Sequence, residues 1–171
     1  MFVLADGAGG TSGGGLSADT VTTRVGMSAP SNASDCVAIL QTLDRELTDL
    51  GQTTALIVIV SGGVVFGASV GDSTACLVDG AGAIDLTEHQ RTKPLLGSGR
   101  AAATPFGPFA FRGRLLLGSD GLFKYVPHER IRSIATSLLV TEVADALIAA
   151  ARLPSGNLQD DISVIVVGRR C

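Results

Sequence analysis

Apolar and polar positions in the first part of the chain predict a short strand followed by two helices. Residues 2–5 form an apolar run, and a glycine-rich loop begins at Asp6. Residues 16–25 predict a first helix, and Asn32 or Ser34 is suited to cap a second one. The second helix is indicated by apolar residues spaced three and four apart, which are Cys36, Leu40, Leu43, Leu47 and Leu50.

The middle of the chain is rich in β-branched residues. Residues 53–60, 64–70 and 74–78 are apolar runs joined by tight Gly-containing turns, which predicts an antiparallel meander. Residues 87–113 contain several Pro and Gly and predict an extended loop with little regular structure. Loops of this kind often carry function.

The last third predicts strands at both ends and helices between them. Residues 114–118 form a strand ending at Ser119-Asp120-Gly121, and a final strand starts at Asp160-Asp161. Residues 127–137 and 143–151 indicate helices. The whole pattern predicts the α+β class, an α-β-β-α sandwich of two antiparallel sheets packed face to face and flanked by helices.

Composition narrows the class of protein. With 171 residues and 46% hydrophobic content, residues 1–171 are expected to form a single domain. A net charge of −3 argues against a nucleic-acid partner or a polybasic membrane surface. The longest wholly apolar run, residues 55–60, is far shorter than the roughly 20 residues of a spanning helix. The start of the chain has no basic segment before Asp6, so we expect a cytoplasmic protein without a membrane partner.

The cysteines exclude several kinds of site. Cys36, Cys76 and Cys171 form no CxxC pair and are odd in number, so they indicate neither a disulfide framework nor a zinc site. We interpret Cys36 and Cys76 as small buried hydrophobes. Neither has an Arg six positions later, which excludes a Cys-dependent phosphatase.

Three aspartates lie at the ends of predicted strands. They are Asp6, Asp120 and Asp160. Such residues are often simple turn formers. Strand ends can also converge on one edge of a sheet sandwich, and clustered carboxylates favour hard cations such as Mg²⁺ or Mn²⁺. The residues by themselves leave both interpretations open.

The order of six motifs resembles one family along nearly the whole chain. The motifs are Asp6-Gly7-Ala8-Gly9-Gly10, Gly51-Gln52-Thr53-Thr54-Ala55, Gly71-Asp72-Ser73, Leu86-Thr87-Glu88-His89, Ser119-Asp120-Gly121-Leu122 and Asp160-Asp161-Ile162-Ser163-Val164. The six motifs and their order are similar to those of the type 2C metal-dependent Ser/Thr protein phosphatases of bacterial type.

The resemblance implies a function and a site. It implies that Asp6 bridges two Mn²⁺ or Mg²⁺ ions, that the Gly7 carbonyl binds one, and that Asp120 and Asp160 hold the other. The implied reaction is two-metal hydrolysis of phosphoserine or phosphothreonine on a phosphoprotein substrate, with these aspartates as the catalytic residues.

The chain also departs from the family pattern. The family has a strand before the one ending at Asp6, with an acidic ligand and often a phosphate-binding Arg, and this chain begins after it. We therefore expect a truncated front end, a weakened second ion site, low activity and self-association through the exposed first strand. Ala8 stands where many members have a His. His128 is interpreted as a solvated residue at a helix start, and His89 lies in the loop.

Lys124 replaces a second Asp that in many relatives helps to hold a third ion with the Asp of Gly-Asp-Ser, here Asp72. The ammonium group either pairs with Asp72 or reaches solvent. Arg91, Lys93 and Arg100 either contact a phosphate or form a solvated basic loop.

Two further functions compete with the enzyme hypothesis. A pseudophosphatase would keep the fold and bind partners without turnover, which the missing acidic strand favours. Nucleotide binding by the glycine loop is disfavoured, because the spacing is not GxGxxG and no βαβ unit follows.

Overall fold

A computed structural model describes residues 1–9 and 13–168. Contacts divide the chain into two compact units, the first formed by Met1–Ser73 with Thr87–Ala110 and the second by Thr74–Leu86 with Phe111–Cys171. Each unit contains one four-stranded antiparallel sheet with helices packed against it. The predicted α+β class, with two antiparallel sheets flanked by helices, is confirmed, while the single-domain assignment stays a prediction.

The sheet of the first unit contains the predicted meander. Its strands are β1 (Phe2–Leu4), β2 (Ala55–Ser61), β3 (Val64–Val70) and β6 (Thr104–Ala110), in the order β1-β2-β3-β6. Val3 pairs with Ile57, and Ile57 pairs with Ala68. Almost every side chain of β2 and β3 is buried, which explains why both read as continuous apolar runs.

Two helices cover this sheet. They are α1 (Gly14–Gly26) and α2 (Ala33–Glu46). The predicted Asn32 cap is confirmed, since its side chain accepts a hydrogen bond of 2.9 Å from the Asp35 N–H. The apolar faces of the helices form a core with one face of the sheet, and its largest fully buried members are Val21, Val25, Leu40, Leu47, Ile57 and Leu96.

The sheet of the second unit has two largely buried strands at its centre. Its strands are β4 (Thr74–Val78), β5 (Ala83–Asp85), β7 (Arg114–Gly118) and β8 (Val164–Gly168), in the order β5-β4-β7-β8. Leu115, Leu116 and Leu117 of β7 are completely inaccessible to solvent. Helices α3 (Asp120–Tyr125), α4 (His128–Ser137) and α5 (Val140–Ala150) complete the unit.

The prediction for residues 87–113 is wrong in one part. Residues 104–110 form β6, which pairs with β3 and has its other side at the edge of the sheet. Pro105 and Pro108 suggested a loop, but an edge strand tolerates proline because only one side of its backbone needs a complete set of hydrogen bonds.

Three smaller differences concern two short elements and the ends of two others. Strand β5 and helix α3 were not predicted, because each is too short to show a periodicity. The final strand starts at Val164 rather than at Asp160, since the intervening residues bond to Ser119 instead of to a neighbouring strand. Leu50 lies beyond the end of α2 and is 38% exposed.

The two cysteines within the described residues behave as predicted. Cys36 and Cys76 are free and buried. Burial raises the pKa of the Cys36 thiol to about 11 and that of Cys76 to about 12, so both stay protonated at neutral pH. Cys171 lies outside the described residues.

None of the helices described here combines the length and the apolar character that crossing a membrane requires.

Candidate functional site

The backbone of Asp6 is held by two threonines just beyond the end of β1. Its N–H donates to the Thr54 hydroxyl at 3.0 Å. Its carbonyl accepts from the Thr54 N–H at 2.8 Å and from the Thr53 hydroxyl at 2.9 Å. Both threonines are buried, whereas Asp6 itself is half-buried. The Asp6 backbone is therefore fixed by buried threonines, while the residue itself stays partly accessible to solvent.

Thr54 is itself oriented by a second buried hydroxyl. Its Oγ1 lies 2.7 Å from Ser73 Oγ, and the Ser73 carbonyl accepts from the Gln90 side chain at 2.9 Å. Sequence reasoning noticed the Thr-Thr and Gly-Asp-Ser motifs but did not assign them this supporting role. The signal was present, because adjacent threonines at the start of a buried strand need partners for their hydroxyl groups.

Gly7 lies against the start of α1. A Cβ atom at Gly7 would sit 2.5 Å from the carbonyl carbon and oxygen of Gly14, so a side chain could not fit without moving the backbone. The neighbouring Ala8 N–H donates to the Gln52 carbonyl at 2.9 Å. The chain is thus packed backbone to backbone at Gly7 and at Gly14, which explains why these two positions are glycine.

In the second unit, Ser119 joins the Asp120 corner to the segment that contains Asp160. The Ser119 N–H donates to the Ser163 carbonyl at 3.0 Å, and the Ser163 N–H donates to Ser119 Oγ at 3.1 Å. Ser119 Oγ also lies 3.3 Å from the Asp161 carbonyl. Ser119 is 1% exposed, and these partly buried bonds fix the two segments side by side.

Gly121 brings the same two segments into direct contact. A Cβ atom there would lie 2.4 Å from the Asp161 carbonyl oxygen and 3.3 Å from Asp160 Cβ. Asp120 and Asp160 both help to raise the pKa of the Lys124 ammonium, after the larger contribution of Tyr125. The structure therefore brings Asp120 and Asp160 to the same corner of the second unit.

Lys124 and Asp72 are each placed within their own unit. Lys124 is exposed, and its ammonium lies 5.1 Å from the ring centroid of Tyr125. Asp72 is half-buried in the turn after β3, where Gly71 adopts a φ of 98°. Pairing between Lys124 and Asp72 stays a prediction.

Neither histidine is buried. His128 is the first residue of α4, is exposed, and has its ring centroid 6.3 Å from that of Phe123. This agrees with the interpretation of His128 as a solvated residue at a helix start. His89 is also exposed.

The chemistry of the predicted donors suits a hard cation. Asp6, Asp120 and Asp160 offer carboxylate oxygens and Gly7 offers a carbonyl oxygen, which is the ligand type of Mg²⁺ and Mn²⁺. Across residues 1–9 and 13–168, no three His, Cys, Asp or Glu side chains are grouped closely enough to hold a metal ion. Asp6 and Gly7 belong to the first unit and Asp120 and Asp160 to the second, and a metal site shared by all four stays a prediction.

Solved structures show which fold this is. The phosphatase Stp1 from Staphylococcus aureus is 21% identical with a TM-score of 0.80, and covers 99% of this chain and 83% of its own. The serine/threonine phosphatase of S. agalactiae is 20% identical with a TM-score of 0.80, covering 98% and 86%. The catalytic domain of the phosphatase PstP, in complex with two manganese ions, is 22% identical with a TM-score of 0.77, covering 96% and 85%.

No family model matches the sequence, and no curated protein matches it. At identities of 20–22%, the solved structures establish the fold of this chain.

Proposed function

We propose that this chain, which has the fold of bacterial serine/threonine phosphatases, is a metal-dependent phosphatase that hydrolyses phosphoserine and phosphothreonine on a phosphoprotein. The observation that carries the proposal is the corner fixed by Ser119, which sets Asp120 beside Asp160. A fold alone can host many functions, so the function has to rest on the site. Here the hydrogen bonds of Ser119 and the close contact at Gly121 place two carboxylates at one corner, and simple turn formers need no such bracing.

In the proposed site, Asp6 and the Gly7 carbonyl would hold one ion, and Asp6, Asp120 and Asp160 would hold a second. Mn²⁺ or Mg²⁺ fits these oxygen donors, and PstP of the same fold is known in complex with two manganese ions. When bound, such ions bind phosphoryl oxygens and activate water at neutral pH.

The chain's own residues supply orientation. Thr53 and Thr54 hold the Asp6 backbone through three hydrogen bonds of 2.8–3.0 Å, so the backbone from which the carboxylate extends is fixed. Ser119 does the same for the Asp120 corner. Residues that orient metal ligands in this way commonly change metal affinity by about 10- to 100-fold when they are removed.

One of the two ions is expected to bind weakly. The first unit offers it the Asp6 carboxylate and the Gly7 carbonyl, and Mg²⁺ accepts water for its remaining positions. An ion held by a single carboxylate binds weakly, so few molecules would carry both ions at once. We therefore propose that the chain hydrolyses its substrate slowly. Removal of phosphate from proteins would give the chain a signalling role in the cytoplasm, where free thiols such as Cys36 and Cys76 persist.

A second candidate is a pseudophosphatase that binds phosphoproteins without hydrolysing them. The observation in its favour is that the described residues contain no group of three metal-ligating side chains. Both functions would use the same fold, and turnover separates them.

The test is Mn²⁺-dependent release of phosphate from a phosphoserine peptide and from an aryl phosphate. Wild type should turn over both slowly, and Asp120→Asn and Asp160→Asn should each lower the rate by at least about 100-fold. Asp161→Asn is the matched control, because Asp161 is an exposed aspartate in the same loop. No turnover by wild type, with phosphopeptide binding retained, would establish the pseudophosphatase instead.

A further inference from the structure

A cavity of about 630 Å³ opens beside the Asp6 loop within the first unit. A volume of this size is typical of ligand pockets. Its lining includes the loop after Asp6, the segment before Thr53 and the basic loop, through Ala8, Gln52, Lys93, Leu95, Ser98 and Arg100. Arg91, the third cation of that loop, does not line it. The structure thus distinguishes Lys93 and Arg100, which line the cavity, from Arg91, which does not, whereas the sequence alone offered no reason to treat the three differently.

Neither of the two cations of this cavity forms an ion pair with a described residue. Lys93 and Arg100 are both exposed, and the cavity lining contains no acidic side chain. The ion pairs found among the described residues are Arg24–Glu46 and Arg132–Glu129, so neither cation of the cavity has an acidic partner. In a chain with a net charge of −3, two unpaired cations at one cavity create a local positive potential that favours an anion.

Hydrogen bonds to the backbone hold the walls of the cavity in place. Thr53 and Leu96 exchange two backbone hydrogen bonds of 3.1 and 3.0 Å, which fix the basic loop to the segment before β2. Buried Asp44 accepts from the N–H groups of Gly97, Gly99 and Ala101 at 2.8, 3.1 and 2.9 Å. These bonds bracket Arg100 on both sides, so the backbone that carries it is already ordered before any ligand binds.

The cavity also lies at a short distance from the proposed metal ligands. Ala8 follows Asp6 by two residues, so their Cα atoms are at most about 7.6 Å apart. An extended peptide advances about 3.3 Å per residue. If the phosphoserine of a substrate peptide lies at Asp6, a peptide residue one to three positions from it can therefore reach the cavity.

We propose that this cavity binds an anionic side chain, either a carboxylate or a second phosphate, one to three residues from the phosphoserine of the substrate. The inference rests on the proposed function and adds a substrate class, namely acidic or multiply phosphorylated peptides. Arg100 suits such a group because a guanidinium can donate two parallel hydrogen bonds to one carboxylate or phosphate, while Lys93 adds a point charge.

Binding of fluorescent phosphoserine peptides, followed by anisotropy, tests the inference without requiring turnover. Three peptides differ in one flanking residue, which is Gln, Glu or a second phosphoserine. Wild type should bind the Glu peptide and the doubly phosphorylated peptide about five- to tenfold more tightly than the Gln peptide, as expected for two exposed charge contacts. The comparison of the Glu peptide with the doubly phosphorylated one shows which anion the cavity prefers.

Variants test whether the cavity causes the tighter binding of the anionic peptides. Lys93→Gln and Arg100→Gln should each reduce the difference in affinity between these peptides and the Gln peptide, and the double variant should abolish it. Arg91→Gln, which removes a cation from the same loop outside the cavity, should leave it unchanged. Added salt should weaken the preference, because exposed charges are screened.

The outcomes separate this inference from the proposed function. Equal affinity of wild type for all three peptides, or no measurable binding of any of them, overturns the inference. An equal loss of preference in Arg91→Gln would also overturn it. A charge-dependent preference without phosphate release would retain the cavity and reject the proposed catalytic function.

Discussion

Replacement of Asp44 tests whether one buried carboxylate holds the loop that carries Arg100. Asp44 lies on α2, is 4% exposed, and accepts three backbone N–H groups of the loop. Asp44→Ala leaves all three donors without this partner. The Gly97 N–H is buried, whereas the other two bonds are partly accessible to water.

The size of the effect follows from this difference. A buried donor left unsatisfied costs about 1–3 kcal/mol, and we expect about 1 kcal/mol for each of the two accessible bonds. The free energy of unfolding should fall by about 3–5 kcal/mol. For a chain of this length, each kcal/mol corresponds to about 2–4 °C in Tm, so Tm should fall by about 6–20 °C.

Asp44→Asn refines the test. Its amide keeps one oxygen acceptor, so the variant should lose about 1–2 kcal/mol, less than Asp44→Ala. Asp49→Ala is the matched control, because Asp49 is an exposed aspartate just beyond the same helix and its loss should change stability by less than about 0.5 kcal/mol. Thermal unfolding followed by circular dichroism measures all three. A Tm for Asp44→Ala within 2 °C of the control would refute the role of this carboxylate.

Three other predictions concern the proposed site and the sheet edge. Gly121→Ala places a methyl group 2.4 Å from the Asp161 carbonyl, so Mn²⁺ affinity measured by calorimetry should fall about tenfold, whereas Gly80→Ala, with no atom within 4 Å of its Cβ, should leave it unchanged. Lys124→Asp should add one Mn²⁺ per chain through Asp72, and an unaltered stoichiometry would mean that Lys124 is simply a surface residue. Among the described residues β1 pairs with β2 alone, so we propose that its other edge drives self-association of this chain, and a monomer by light scattering at about 100 μM would contradict this.

Much of the fold was predictable because its longest elements have clear periodicities. The second helix was predictable from its apolar spacing and the Asn32 cap. Strands β2 and β3 were predictable from continuous apolar runs with a Gly-Gly turn between them. In each case local preference and burial indicate the same structure.

The remaining parts depend on contacts between residues distant in sequence. β6 is a strand because it pairs with β3. Its own sequence contains two prolines and shows no local pattern that predicts an edge strand. The role of Asp44 depends on a loop more than 50 residues away, although on the sequence it looks like any polar position of a helix. The aspartates of the proposed site were chosen as motif positions and their metal-binding role stays a prediction, whereas the hydrogen bonds that Thr54 and Ser119 make beside them required the tertiary structure.

Calorimetric titration with Mn²⁺ tests the central claim most directly. The proposed site predicts that wild type binds two ions per chain, one of them weakly, and that Asp120→Asn loses at least one of them. Asp161→Asn, in the loop that also contains Asp160, should bind as wild type does. Mn²⁺ binding by Asp120→Asn that equals wild type in stoichiometry and affinity would contradict the proposed metal site and the phosphatase function built on it.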